Sequence, residues 1–280
     1  MSDVAVCIPI FGSQRYRLAG RQAVRSVLQH TDFDVFIAHD QDRPFALKSS
    51  RLRSLALPNA ATGTFRARMF LRKFQALQAC LGAGRHSLVL SLDADAIVAG
   101  RIDRSMIEAA LDGHDLGMAE QTRIRGGEVG RAELRAHYQN HTLAWFEPGR
   151  ESYPPPDFRY YNSGVVLGSR DKLTEIAEWA QDRLAQSPGS HQVGQHMIAD
   201  QDYYQYWVHA VEPGCCATLP WSWNHCRHWD EGFPRTDALI LHFSSFCNAP
   251  SLQQIAQMAL LRRGFPRINR LVEWVGETLR

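Results

Sequence analysis

The sequence has no apolar run long enough to cross a bilayer, and its N-terminus, MSDVAVCIPIFG, has too short an apolar stretch for a secretory leader. Charge of one sign is also missing. The 31 Lys and Arg against 29 Asp and Glu leave a formal net charge of +2, without the dense basic stripe of a nucleic-acid binder. No nucleic-acid partner is therefore expected, and the expected location is the cytoplasm. The six cysteines, Cys7, Cys80, Cys215, Cys216, Cys226 and Cys247, include no CxxC pair. A 280-residue chain that is 45% hydrophobic can bury a core without staples, so reduced thiols are expected. The cluster NHCRH, with His225, Cys226 and His228, lacks paired ligand spacing and reads as packing rather than structural zinc. Internal repeats are absent.

What is present is an alternation of strand and helix. Residues 4–10 form a short apolar run closed by Pro9 and Gly12, about 18–30 have helical periodicity, and DVFIAHD follows as a second strand. Residues 64–82 read as a helix ending in glycines that suit a C-cap, and SLVLSLDADAIV comes next. This order predicts an α/β fold with a mainly parallel central sheet flanked by helices on both faces. The segment 121–158 is rich in Arg, Gly and Pro and predicts recognition loops with one short helix. Beyond it, YYNSGVVLGSR reads as a strand, DKLTEIAEWAQDRLAQS and HMIADQDYYQYWVHA as helices, LPWSWNHC as a loop and DALILHFSS as a last strand. Residues 251–280 read as one or two terminal helices with a basic face (Arg262, Arg263, Arg267, Arg270, Arg280). Such a face either packs with its arginines in water or touches anionic lipid as a peripheral contact at the inner membrane face.

The stretch LVLSLDADAIVAG carries Asp93 and Asp95 inside a run suited to a buried strand. An ionised carboxylate buried without a partner costs several kcal/mol, so the pair needs a reason. Along a strand the two share one face about 6.5–7 Å apart at the α-carbons. At the carboxyl edge of a parallel sheet they would meet ligands, and a divalent cation between them would neutralise both. The alternative is a solvated turn, against which the apolar residues on both sides count. His242, at the end of LILHFSS, supplies a third ligand, and imidazole with two carboxylates suits Mn²⁺, or Mg²⁺. ADQDYY adds Asp200, Gln201 and Asp202, either a helix start with an acidic first turn or part of a site.

The ordered set RKFQAL, LSLDADAIV, YYNSGVVLG, ADQDYYQYW, LPWSWN and LILHFSS resembles glycosyltransferase family 8, the glycogenin-like group of GT-A enzymes, from about Val4 to Phe246. The resemblance implies a GT-A fold in a single Rossmann-like domain over residues 1–250. Residues 1–100 would be its nucleotide-binding half and 101–250 its sugar and acceptor half, with a C-terminal helical extension at 251–280. It implies a nucleotide-sugar donor, commonly a UDP-sugar, with Mn²⁺, a carbohydrate-type acceptor and retention of anomeric configuration, as in polysaccharide biosynthesis. Carried over by position, Asp93, Asp95 and His242 would hold the metal, and Lys73 would face the phosphates or sugar. Asn162 would lie by the donor sugar, Gly164 would admit its close approach, Asp200 would bond a sugar hydroxyl, and Gln201 would sit by the anomeric carbon. Glu120 falls where an acidic sugar-binding residue is found, and Tyr16 is the candidate for stacking on the base.

One departure matters: in HFSSFCNAP, Ser245 stands for the family's glycine and Asn248 for its diphosphate-gripping lysine. Phosphate stabilisation then falls to Lys73, to Arg227 or Arg235, or to the metal. Acceptor contacts are expected from Arg123, Arg125, Arg131, Tyr138 and Trp145, while Trp221 and Trp223 of WSW serve as core or as a sugar platform. Opposite unit charges about 4 Å apart attract by about 4 kcal/mol at an effective dielectric of 20, so a divalent ion facing a diphosphate should dominate catalysis. Gln201 is a poor base, which favours same-face attack with the departing phosphate taking the acceptor's proton. Double displacement through Asp200 or Asp202 needs a carboxylate directly under the ring. The rival readings are a DxD phosphohydrolase, a nucleotidyltransferase, and a catalytically weak sugar-nucleotide-binding protein.

Overall fold

The computed structural model describes residues 3–40, 47–57, 65–121, 130–149, 157–186, 191–228, 230, 232–244 and 249–263. The run VAVCIPI forms β1 (Val4–Ile10), buried over its whole length as a strand between two helical layers must be. Its side chains alternate: Ala5 and Cys7 enter one apolar layer, and Val4, Val6, Ile8 and Ile10 enter the opposite one. Around β1 stand α1 (Gln14–His30), β2 (Asp34–His39), β3 (Leu52–Ala56), α2 (Phe65–Ala83) and β4 (Leu88–Leu92). β2 and β4 flank β1, both parallel to it. Pro9, which has no N–H to give a ladder, falls beyond the last β1–β4 pair, Cys7↔Ser91, where one neighbour has already turned away.

The chain continues through β5 (Ala96–Val98), α3 (Arg104–Leu111), β6 (Leu116–Glu120), α4 (Arg131–His137), α5 (Ala144–Phe146), β7 (Tyr161–Ser169) and α6 (Arg170–Gln186). The remaining elements are the hairpin β8 (Gln192–Val193) and β9 (His196–Met197), α7 (Asp200–Tyr206), β10 (Cys216–Leu219), β11 (His225–Cys226), β12 (Ile240–His242) and α8 (Leu252–Arg262). The main sheet runs β10-β6-β7-β4-β1-β2-β3, and a small second sheet runs β11-β12-β5. β7 is antiparallel to both β4 and β6, and the other main-sheet pairs are parallel. The architecture is therefore α/β with a mainly parallel central sheet, as the pattern predicts. α2 and α6 cover one face beside Ala5 and Cys7, and α1 and α3 cover the other. α8 starts with a capping box, in which Ser251 Oγ accepts from Gln254 N and Gln254 Oε1 accepts from Ser251 N, and it packs on α1. Among the described residues no helix is long and apolar enough to cross a membrane.

Several expectations need correction. DADA is not one strand but a turn between β4 and β5, which belong to different sheets. Asp93 and Asp95 therefore do not share a strand face. β3 was not expected, because LRSLA is half-exposed at the sheet edge and has little apolar patterning. Residues 196–210 are not one helix: His196 and Met197 pair in a hairpin, and α7 widens into a π-helix at Trp207–Val211. α4 widens likewise at Tyr138–Leu143. LPWSWNHC holds a 3-10 turn at Trp221–Trp223 and β11 rather than only loop. Residues 264–280, Ser245, Asn248, Arg123 and Arg125 lie outside the described residues.

Candidate active site

After β3 the chain returns across β1 to place β4 on its other side, so the carboxyl ends of β1 and β4 open at a topological switch point, where α/β sheets bind ligands. The Asp93–Ala96 turn sits there, closed by Ala96 N–H donating to Asp93 O at 3.0 Å. Asp93 N–H donates to Gly164 O, and Phe243 N–H donates to Asp95 O, each at 2.9 Å. These bonds bring β7 and β12 against the turn. His242 Nε2 lies 3.4 Å from Asp95 Oδ1 and 3.7 Å from Asp93 Oδ2. One ligand atom from each of the three lies within 4.8 Å of the others, and no other such group of His, Cys, Asp or Glu occurs among the described residues. Two carboxylate oxygens and an imidazole converging on one point fit a divalent ion that accepts mixed nitrogen and oxygen donors.

Lys73 reaches the same turn from α2, with Nζ 2.6 Å from Asp93 Oδ1 and 2.9 Å from Asp200 Oδ2. Ser163 Oγ also donates to Asp200 Oδ2, at 2.7 Å. Burial disfavours the Lys73 ammonium, but Asp200 and Asp93 outweigh it and hold its pKa well above the ordinary range. Burial lifts the Asp93 carboxyl, opposed by Lys73 and assisted by the charge of Asp95. Asp95 is held low despite burial, because His242 bonds and faces it. His242 is raised: burial opposes its charge, and Cys226 and Asp95 prevail. His242 would have to lose that proton to serve as a metal ligand.

A chain of side-chain amides fixes the orientation of these groups. Gly164 N–H donates to Asn162 Oδ1 at 3.0 Å, and a backbone donor can only point at oxygen, so the Asn162 amide is oriented without ambiguity. Asn162 Nδ2 then donates to Gln201 Oε1, and Gln201 Nε2 donates to Gln121 Oε1, both at 3.1 Å. On the other side Asn224 Nδ2 donates to Asn162 Oδ1 at 2.7 Å, leaving Asn224 Oδ1 to accept from His242 Nδ1–H at 3.1 Å. Asn224 therefore keeps the proton on Nδ1 and frees Nε2 for a ligand. Sequence reasoning missed Asn224 because a polar residue after WSW carries no charge or spacing signal.

The irregularity that makes this possible lies in YNSG. β6 pairs Met118 with Val166 but Ala119 with Asn162, so Ser163, Gly164 and Val165 bulge out of register. A Cβ on Gly164 would stand 2.1 Å from His242 Cε1 and 2.6 Å from Nδ1, so the close approach this glycine admits is that of the imidazole. Of the other expected residues, Asp200 and Gln201 begin α7 and line a cavity of about 290 Å³ with Lys73, Asp93 and His242. Glu120 is instead held by Arg131 at 2.9 Å and Arg159 at 3.6 Å, and its neighbour Gln121 lines the cavity. Tyr16 packs half-buried against the β1–α1 apolar layer. Tyr138 is buried in a small aromatic core, Trp145 packs beside His191, and Trp223 is core. Trp221 is 40% exposed with the Arg235 guanidinium 4.0 Å above its ring, and Arg227 bonds Gln257.

His137 and His196 also line the cavity, with His141 packed behind them. His137, His141 and His196 pack with all three centroid separations at 4.7 Å. His196 Nε2 lies 3.3 Å from both oxygens of buried Asp202, which also accepts from Thr142 Oγ1 at 2.5 Å and Ala199 N at 2.9 Å. Burial, then His196 and His141, push His137 down to about 4, and burial and His196 lower His141. The spacing of His137 and His141, four apart in HYQNH, was the signal available in the sequence, but it lay in a segment read as mostly loop.

No protein-family model and no curated protein matches the sequence. Solved structures do match in fold. Mouse xyloside xylosyltransferase 1, in its apo form, aligns with a TM-score of 0.51 at 15% identity, over 90% of this chain and 100% of that one. The apo structure of the bifunctional glycosyltransferase WbbM aligns with a TM-score of 0.58 at 13% identity, over 96% of this chain. This chain spans 51% of WbbM. The likeness establishes the GT-A fold for this chain.

Proposed function

We propose that the protein is a metal-dependent glycosyltransferase that moves a hexosyl group from a UDP-sugar to a carbohydrate-type acceptor, with retention. The observation that carries this is the convergence of Asp93, Asp95 and His242 at the switch point, on the cavity that also holds Lys73, Asn162, Asp200 and Gln201. The fold shared with glycosyltransferases supports it. Asp93, Asp95 and His242 would hold Mn²⁺ or Mg²⁺, which supplies Lewis-acid stabilisation of charge developing on a diphosphate.

The chain's own residues do the rest. Lys73, kept cationic by two carboxylates, offers a fixed positive charge to the donor phosphates in place of the lysine that Asn248 replaces. Asp200 would bond a sugar hydroxyl and Asn162 would lie by the donor sugar, each held by a neighbour's hydrogen bond. Neither nearby aspartate is free to act as a nucleophile under the ring: Asp200 is tied to Lys73 and Ser163, and Asp202 to Thr142 and Ala199. That supports same-face attack over double displacement. Gln201 Oε1 accepts from Asn162 and from Ser163 N–H, and would turn from them to face an anomeric carbon. The basic C-terminal segment as a peripheral membrane contact, in a cytoplasmic enzyme of polysaccharide biosynthesis, belongs to the same proposal.

The test is a thermal shift with UDP plus Mn²⁺, followed by assay of UDP release from UDP-hexoses. Stabilisation only in the presence of both, with UDP release abolished by chelator, is the expected result. Stabilisation without release from any donor indicates the weak nucleotide-binding protein, and release of phosphate from simple esters indicates a phosphohydrolase.

A further inference from the structure

The three-histidine cluster is not explained by a donor or by a metal. Its nitrogens do not converge as the Asp93, Asp95 and His242 atoms do. Its place is fixed by local sequence. VGQH makes a two-residue hairpin turn with Gly194 in the left-handed region, φ 58°, so that His196 pairs with Val193 and presents its ring beside α7. His137 and His141 come from one continuous helical segment, and Asp202 from the third position of α7, where it also receives the Ala199 N–H. Facing His196 are His137, His141 and Asp202, and Tyr160 meets His137 edge-on.

Asp202 can only accept from an imidazole as a carboxylate, so the His196 Nε2–H donates to it and Nδ1 carries the ring's lone pair. A buried carboxylate that orients a histidine and stabilises its protonated form is the arrangement of a general base. His196, Asp202 and His137 line the same cavity as Lys73, Asp93 and Gln201.

We propose that His196, oriented by Asp202, takes the proton from the acceptor hydroxyl, so that the acceptor's reacting group docks on the imidazole side of the cavity. This rests on the glycosyltransferase reading above. The acceptor oxygen bonds to the anomeric carbon and its proton passes to the lone pair on His196. The bond from that carbon to the donor's diphosphate breaks, with the electron pair leaving on the phosphate oxygen. His196 thus replaces the departing phosphate as the proton's destination. His137 and His141 serve as positioning residues. Burial first, and then their imidazole neighbours, lower the basicity of both, while of the three rings it is His196 that hydrogen-bonds Asp202.

The experiment uses the full chain, saturating Mn²⁺, and UDP-glucose, UDP-galactose and UDP-N-acetylglucosamine, with water as acceptor. UDP release is followed from pH 5 to 9, and UDP affinity is measured by calorimetry. His196→Gln should slow UDP release about 10²–10⁴-fold, the usual contribution of a general base, and lose the acid limb of the pH profile. Its UDP affinity should stay within about twofold of wild type, and imidazole should rescue His196→Ala, while Asp202→Asn should give an intermediate loss. Wild-type release by His196→Gln, an unchanged acid limb, or loss of UDP affinity together with rate would each overturn the assignment. A wild-type protein that binds UDP with Mn²⁺ yet releases none overturns the base and leaves nucleotide binding standing. One that binds no UDP ends the glycosyltransferase reading itself.

Discussion

The cavity has two chemically opposed parts. Around Asp93, Asp95, Asp200, Lys73 and His242 every charge is answered by another within 4 Å. Around His137, His141 and His196 the rings pack against one another, burial holds His137 and His141 below the usual imidazole range, and Asp202 is the single anion among them. Under the proposed function, the difference would let one crevice handle two reactants. The first part can take a doubly charged ion and a diphosphate only by exchanging partners that are already in place. The second part offers imidazole nitrogens beside one buried carboxylate.

The comparison breaks hardest at Asp95. Asp95→Ala removes one of the three proposed ligands while leaving the β4–β5 turn bonds, which are main-chain, intact. Metal-dependent UDP release should fall by at least about 10³-fold with the thermal midpoint nearly unchanged, since the lost charge stabilisation is worth several kcal/mol. Lys73→Ala comes next. It strands Asp93 and Asp200 without their cation, and breaking a buried pair from one side costs about 3–5 kcal/mol, read by urea unfolding.

The imidazole part should announce itself through pH. His137 here, and His209 outside this cavity, packed on Phe158 with its Nε2–H donating to Arg159 O at 2.8 Å, are each pushed from about 6.5 to about 4, mainly by burial. Their folded values lie below the unfolded ones, so the unfolded chain binds more protons between those pH values and stability falls as pH drops from 6.5 towards 4. The loss should reach about 2–3 kcal/mol per group, and His137→Gln should flatten the slope. The smallest effect sharpens the charged part. Asn224→Ala frees the His242 tautomer, and Mn²⁺ affinity, followed by electron paramagnetic resonance, should weaken about 10–100-fold. Asn224→Asp, which keeps the accepting oxygen, should recover part of it.

Much of this was legible beforehand. Apolar runs and glycine-closed helices gave β1, β2, α2 and the sheet class, because buried parallel strands write their burial directly into composition. Asp93, Asp95 and His242 stood out as polar residues ending apolar runs. The turn between the aspartates did not, because residues apolar on both sides hide a change of sheet. Asn224 and His196 were invisible for another reason: Asn224 matters through His242, 18 residues on, and His196 through Asp202 together with rings more than 50 residues away. Hydrogen-bond polarity and ring packing leave no periodicity to read.

The β4–β5 turn belongs to the main sheet on one side and to the small β11-β12-β5 sheet on the other, and His242 reaches it from the latter. An ion seated among Asp93, Asp95 and His242 would therefore act as a rivet through both layers. Amide hydrogen exchange in β11 and β12 should slow when manganese is added and stay put in β2 and β3. Loading with metal would then quieten the breathing of one layer against the other before any sugar arrives.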